Sequence, residues 1–369
     1  MNIELMTVMG VVLVLVLAWS NGANDISKGI ATLVGNGSAN ARAAVLWGTF
    51  CTALGGLVAL LWGAALIKTF SSAFLDSGFI VDLRFIASTL VGAAGWVFIA
   101  TRLGWPVSTT HALLGGVVGA VWAVAGFSGL QMDAVTRKAL LPLLLSPLIA
   151  VVLCASLLLL ARYLARRIPG WTPGCCEEDE WRQNPFTCEN GEDNKVAARE
   201  GKRQRLSWRG KTWVALHWFS SGLTSFARGL NDVPKIAAFL ILITSLSPEL
   251  SGQLGTGSSG PILLVTLVMT AGSLLGGLRV LNILAHRVVP MDASQGLTAN
   301  VGTSMLVLLA SPLGIPVSTT HVSTGSLLGI RWYDRVKPQQ GDALKSILFA
   351  WLITLPVAAG LAIFAANIL

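Results

Sequence analysis

Gly22-Ala23-Asn24-Asp25-Ile26-Ser27-Lys28 returns later in the chain as Gly229-Leu230-Asn231-Asp232-Val233-Pro234-Lys235. A second stretch, Pro106-Val107-Ser108-Thr109-Thr110-His111, returns unchanged as Pro316-Val317-Ser318-Thr319-Thr320-His321. The first pair is offset by 207 residues and the second by 210. Two unrelated motifs repeated at nearly one offset define two homologous halves. We read these as residues 1–161 and 212–369, joined by a charged segment, residues 162–211.

The composition around these motifs is that of a membrane protein. Of 369 residues, 53% are hydrophobic and only 12% charged, against about 25% charged in an ordinary soluble domain. The charges are also unevenly placed, 19 of the 44 falling between Arg162 and Lys211. What remains is close to charge-free over stretches long enough to span a bilayer, which takes roughly 20 apolar residues. Spans are expected near Val8–Trp19 continuing past a polar break to Val34, then Ala43–Ile67, Phe85–Leu103, His111–Phe127 and Leu140–Leu160. A second set is expected near Trp213–Ile243, Ile262–Leu284, Leu297–Leu309, His321–Ile330 and Leu344–Ile368. The working count is ten, with the ninth short enough to be a hairpin. The N-terminal apolar stretch has no basic residue before it and no cleavage site, and reads as mature sequence rather than a signal peptide.

Each half then holds five spans. An odd number forces the halves into opposite orientations, the inverted-repeat architecture of carriers whose substrate site lies between repeats near the midplane. The expected fold class is an all-α polytopic membrane protein with re-entrant hairpin-like segments. Eleven Lys or Arg in the central segment mark it as cytoplasmic, which sets the N-terminus outside. Arg42, Arg102, His286, Arg287, Arg331, Arg335 and Lys337 agree with that orientation; Arg137 and Lys138 do not. The net charge of +8 follows from this cytoplasmic bias and does not call for a nucleic-acid partner.

Asp25, Lys28, Asp232 and Lys235 interrupt apolar segments. A charge at the bilayer centre costs roughly 2.5–3.5 kcal/mol even on lenient scales and usually faces a cavity or a partner. Asp and Lys three apart on a helix are neighbours, so internal pairing is one reading and a solute site the other. Their recurrence beside Asn in both halves favours a site. The Pro-Val-Ser-Thr-Thr-His stretches suit helix starts, with Ser or Thr at the cap. A helix start presents free N–H groups and partial positive charge to an anion. The hydroxyls of Ser108, Thr109, Thr110, Ser318, Thr319 and Thr320 would add donors, and Gly104 and Gly314 suit tight turns before them. His111 and His321 could relay protons or pack helices. Cys175, Cys176 and Cys188 match no standard zinc spacing and read as reduced thiols. No metal site, cofactor or catalytic group is expected, since the spans carry neither His-Glu-x-x-His nor clustered carboxylates.

These motifs together resemble the inorganic phosphate transporter (PiT) family, and the resemblance covers both halves. It implies a secondary transporter, often a homodimer, that moves inorganic phosphate across the cell membrane (inner or plasma membrane) by alternating access. By position, Asn24, Asp25, Asn231 and Asp232 match the family's ion and substrate residues, and the Ser-Thr-Thr tips match its phosphate-contacting residues. Lys28 and Lys235 depart from it, because many members carry an uncharged residue there. Two ammonium groups can neutralise the two carboxylates within the protein. Coupling to protons, rather than the family's sodium, is therefore expected, with Asp25 and Asp232 as coupling residues and Lys28 and Lys235 beside the substrate. Sulfate or another tetrahedral oxyanion is the alternative cargo. Phosphate can donate a proton to a carboxylate at neutral pH and sulfate cannot. Membrane lipid and a co-transported proton or cation complete the expected partners.

Overall fold

The computed structural model describes residues 3–167, 208–287, 293–334 and 341–369. Arg335, Lys337 and the cysteines Cys175, Cys176 and Cys188 lie outside them. The described residues are nearly all helical, with no strand beyond one isolated bridge between Leu75 and Leu130. Twelve helices carry the architecture. They are α1 (Ile3–Asp25), α2 (Ser27–Gly35), α3 (Ala41–Trp62), α4 (Leu83–Leu103), α5 (Thr109–Ala125) and α6 (Leu141–Arg167), then α7 (Trp208–Leu246), α8 (Ser259–Gly276), α9 (Leu278–Arg287), α10 (Ala293–Ala310), α11 (Thr319–Asp334) and α12 (Gly341–Ile368).

Among the described residues, eight helical stretches are long and apolar enough to cross a membrane, against the ten expected. The two missing are the eighth and ninth in the sequence reading, Leu297–Leu309 and His321–Ile330. Helix α10 carries Gln295, Asn300, Ser294 and several threonines, and α11 has only 16 residues. The seventh expected span, Ile262–Leu284, is split between α8 and α9 at Gly277. The sixth extends into a single helix of 39 residues. Arg137, which sat awkwardly with the orientation, forms an exposed ion pair with Asp133 at 2.6 Å.

Helix contacts repeat when the halves are exchanged. Helix α1 packs on α8 as α7 packs on α3, and α1 lies on α4 as α7 lies on α10. The last helix of each half crosses over: α12 packs on α4 and α5, and α6 packs on α10 and α11. Each half is therefore completed by a helix from the other.

Close crossings explain where the glycines stand. A Cβ at Gly22 would overlap the Met269 carbonyl, and one at Gly272 would overlap that of Trp19. The other half repeats this: Gly55 lies against the Phe226 carbonyl and Gly229 against that of Thr52. Likewise Gly115 and Gly119 of α5 touch the α12 backbone at Leu355 and Ala359, while Gly325 and Gly329 of α11 touch α6 at Pro147 and Val151. In a bilayer, where apolar burial gives little drive for helix association, such close backbone contact supplies dispersion energy instead. The α1–α8 and α3–α7 crossings fix the depth at which both Asn-Asp motifs sit.

Candidate functional site

Two kinds of local structure bring the motifs together. At the first Asn-Asp motif the chain is interrupted at Ile26. That residue keeps helical angles (φ −56°, ψ −36°), so α1 bends into α2 rather than turning back. Ser27 Oγ donates to the Asn24 carbonyl at 2.8 Å, taking up a backbone acceptor that the interruption loosens. At the second motif α7 runs through without a break, although Pro234 lies inside it. Proline lacks the N–H that would bond one turn back.

The Pro-Val-Ser-Thr-Thr-His stretches form matching tips. Each follows a glycine with positive φ, 76° at Gly104 and 69° at Gly314, which lets the helix before it end and the chain reverse. Ser108 caps α5 by accepting from the His111 N–H at 3.2 Å, and Ser318 caps α11 by accepting from the His321 N–H at the same distance. The Thr residues cross between tips: Thr110 Oγ1 donates to the Val317 carbonyl at 3.3 Å, and Thr320 Oγ1 to the Val107 carbonyl at 2.9 Å. Behind the tips the rings of His111 and His321 lie 4.3 Å apart, with Trp351 3.9 Å from His321. This is a packed stack. His111 also bonds its own cap, Ser108 Oγ, through Nδ1 at 2.8 Å.

The charged residues sit where the motifs meet. Lys28 pairs with Asp25 at 2.5 Å and donates to the Val107 carbonyl at 3.1 Å. Lys235 lies 3.4 Å from Asp232 and donates to the Val317 carbonyl at 3.0 Å and to Thr110 Oγ1 at 2.8 Å. Each lysine thus binds its own carboxylate and the tip of its own half, and Lys235 also reaches the first tip at Thr110. Asn24 clamps the first tip, donating to the Trp105 carbonyl at 2.8 Å and accepting from the Val107 N–H at 3.3 Å. Asn231 does the same for the second, donating to the Val317 carbonyl at 3.3 Å and to Asp232 at 2.9 Å. Both ammonium groups are buried and directed into the cluster.

Four participants were not singled out from the sequence. Asn21 Nδ2 bridges the halves, contacting Thr109 Oγ1 at 2.9 Å, Asp25 at 3.2 Å and Asp232 at 3.4 Å. Arg228 is 2% exposed and donates to the Asn21 carbonyl, Thr52 Oγ1 and Ser273 Oγ at 3.2–3.4 Å. The repeat offset held the signal, since Arg228 lies 207 residues after Asn21. Thr32 and Asn300 joined by a 3.0 Å hydrogen bond complete the set. They line a cleft that reaches the cluster at Lys28 and Thr320 and is otherwise walled largely by Thr303, Ser323 and small or apolar groups. The described residues hold no group of three or more His, Cys, Asp or Glu suited to a metal ion.

A helical membrane bundle with helices interrupted at Ile26 and Gly277, two helix-start tips and buried paired charges beside a hydroxyl-lined cleft belongs to the class of solute carriers. Comparison with known proteins places it more closely. Residues 21–362 match the family model described as the phosphate transporter family. A protein of Rhizobium meliloti named a probable low-affinity inorganic phosphate transporter is 29% identical over 94% of this chain and 92% of its own. One of the same name from Mycobacterium leprae is 26% identical over 97% and 77%. A solved structure titled "The sodium-dependent phosphate transporter" covers 98% of both chains with a TM-score of 0.80 at 21% identity, a likeness of fold. The chain belongs to the phosphate transporter family. It is a transporter and not an enzyme, and phosphate is the substrate of its family.

Proposed function

We propose that this protein carries phosphate across the cell membrane by alternating access and couples it to protons rather than to sodium. The observation that carries this reading is the pair of buried ion pairs, Asp25 with Lys28 and Asp232 with Lys235. Two bare carboxylates would repel an entering phosphate. At about 4 Å and an effective dielectric near 20, each like-charge contact costs on the order of 4 kcal/mol. A sodium carrier offsets that with bound cations, which gives it its coupling. Here tethered ammonium groups perform the neutralisation permanently. A tethered cation does not dissociate with the substrate and so transmits no sodium gradient. Protons remain available through Asp25, Asp232 or the phosphate itself.

In this reading phosphate meets the helix starts at the two tips. Ser108, Thr109, Thr110, Ser318, Thr319 and Thr320 supply hydroxyls, Asn24 and Asn231 hold the tips in place, and Lys28 and Lys235 supply charge. Their present bonds to the Val107 and Val317 carbonyls describe a closed cluster that phosphate would open by taking over those donors. The halves are inverted repeats, a reading supported by the exchange-symmetric helix contacts. The N-terminus is outside, residues 162–211 are cytoplasmic, and the working unit is a homodimer.

Calorimetry tests the charge argument. Phosphate is titrated into purified protein in sodium and in choline buffers. The unmodified protein is expected to bind equally in both. Lys28→Asn with Lys235→Asn is expected to bind only with sodium, or not at all. Sodium-dependent binding by the unmodified protein would overturn the reading.

A further inference from the structure

Among the described residues, five Asp, Lys or Arg side chains are buried, and all five meet in one cluster: Asp25, Lys28, Arg228, Asp232 and Lys235. The two lysines cancel the two carboxylates, and Arg228 remains. It is tied to the rest by more than proximity. Its guanidinium donates to the backbone carbonyl of Asn21, whose side chain contacts both Asp25 and Asp232. Its other partners, Thr52 Oγ1 and Ser273 Oγ, are neutral hydroxyls. One of its nitrogens, Nε, is buried with no hydrogen-bond partner among the described residues. Its formal charge is therefore not balanced by a carboxylate of its own.

We infer that Arg228 sets the charge of the substrate site at +1 and thereby makes it selective for the singly charged phosphate, H2PO4−. The inference rests on the phosphate-site reading above. A monoanion brings the cluster to zero. A dianion, whether HPO4 2− or sulfate, leaves a net negative charge in a low-dielectric site, where an uncompensated charge is costly. Arginine suits the task because it stays protonated even when buried. Arg228 acts as a charge-setting residue through the cluster and need not touch phosphate. The other titratable groups near the cluster are the two Asp–Lys pairs and the His111–His321 stack behind the tips. His217, on the same helix as Arg228, is bonded to Thr32 and Asn36.

The asymmetry of the repeat supports this. Position 21, the counterpart of 228, carries neutral Asn, so duplication alone does not require a cation there. A guanidinium retained for hydrogen bonding to Thr52 and Ser273 alone would be replaceable by neutral donors. A charge-setting one would not.

Phosphate binding to purified protein, measured calorimetrically from pH 6 to pH 8, is the test. The unmodified protein is expected to give curves that superimpose when plotted against the H2PO4− concentration, with sulfate competing at least about tenfold more weakly. Arg228→Lys keeps the charge and is expected to keep that pH profile. Arg228→Gln is expected to lose about tenfold or more in affinity for the monoanion. Arg228→Gln with Asp232→Asn restores the +1 count and is expected to recover binding, though not transport. Hydrogen bonding alone predicts no such recovery. If the unmodified protein binds phosphate but Arg228→Gln binds it equally, with the same pH profile, the inference is overturned. It is overturned too if the double variant binds no better than the single. If the unmodified protein binds no phosphate, it is the site reading that fails.

Discussion

In the first half the Asn-Asp motif ends α1, and the helix bends at Ile26. In the second half the same motif lies inside the unbroken α7, ahead of Pro234. The residue three positions before the motif's Asn is Asn21 in one copy and Arg228 in the other. Asn21 reaches across to the opposite Asp232 and to the Thr109 tip. Arg228 instead binds the Asn21 backbone and the hydroxyls of α3 and α8. The backbone crossings through Gly22 and Gly229 match closely, so the two copies share a scaffold. The side chains have diverged, and with them the charge of the two copies. Two alike copies would make a site with a strict two-fold axis.

The largest effect should come from the carboxylates. Asp25→Asn leaves Lys28 buried without its 2.5 Å partner, and Asp232→Asn takes from Lys235 its partner at 3.4 Å but leaves it Thr110 and the Val317 carbonyl. Stranding one member of a buried pair costs about 3–5 kcal/mol. Both variants are expected to abolish phosphate uptake while still reaching the membrane. Asp25→Asn should unfold at the lower temperature in detergent, because Lys28 has fewer substitutes. Normal uptake by both would break the proposed symmetry of role.

Next come the scaffold crossings. Gly22→Val and Gly229→Val each force a side chain into a carbonyl of the neighbouring helix, Met269 or Thr52. Overpacking of this kind costs typically 1–3 kcal/mol. The two variants are expected to lose similar thermal stability, since the crossings match. A large difference between them would show that the scaffold is less symmetric than its contacts.

A smaller effect is expected at the tips. Thr109 accepts the Asn21 bond that ties the first tip to both carboxylates, and Arg228 at the matching position points elsewhere. Thr109→Val should therefore weaken phosphate binding by about tenfold, roughly the loss of one hydrogen bond to a charged or buried partner. Thr319→Val should weaken it by less. Equal losses, or none, would leave helix capping as the tips' main role.

The sequence exposed the repeat, the charged pairs and the tips because each departs sharply from its surroundings: Asp or Lys in apolar runs, and Pro-Ser-Thr-Thr after Gly. The positive φ at Gly104 and Gly314 and the caps at Ser108 and Ser318 follow from those local rules. The break between α8 and α9 is marked in the sequence only by Gly276-Gly277 and Arg279, a signal that the flanking leucines outweigh in an apolar window. Helix α10 was read as too short, since its buried face is built from Gln295, Asn300 and Thr303 rather than from apolar residues. Asn21 and Arg228 were overlooked because neither belongs to the repeated motif. Only the tertiary fold brings Asn21 between two carboxylates 207 residues apart in the chain.

The central claim is that fixed ammonium groups take the place of sodium. Its most direct test is phosphate uptake into proteoliposomes with all sodium replaced by choline and the interior held more alkaline than the exterior. Uptake is expected to proceed as fast as in sodium and to slow when the pH gradient is collapsed. Uptake that stops in choline, and that ignores the pH gradient when sodium is present, would contradict it.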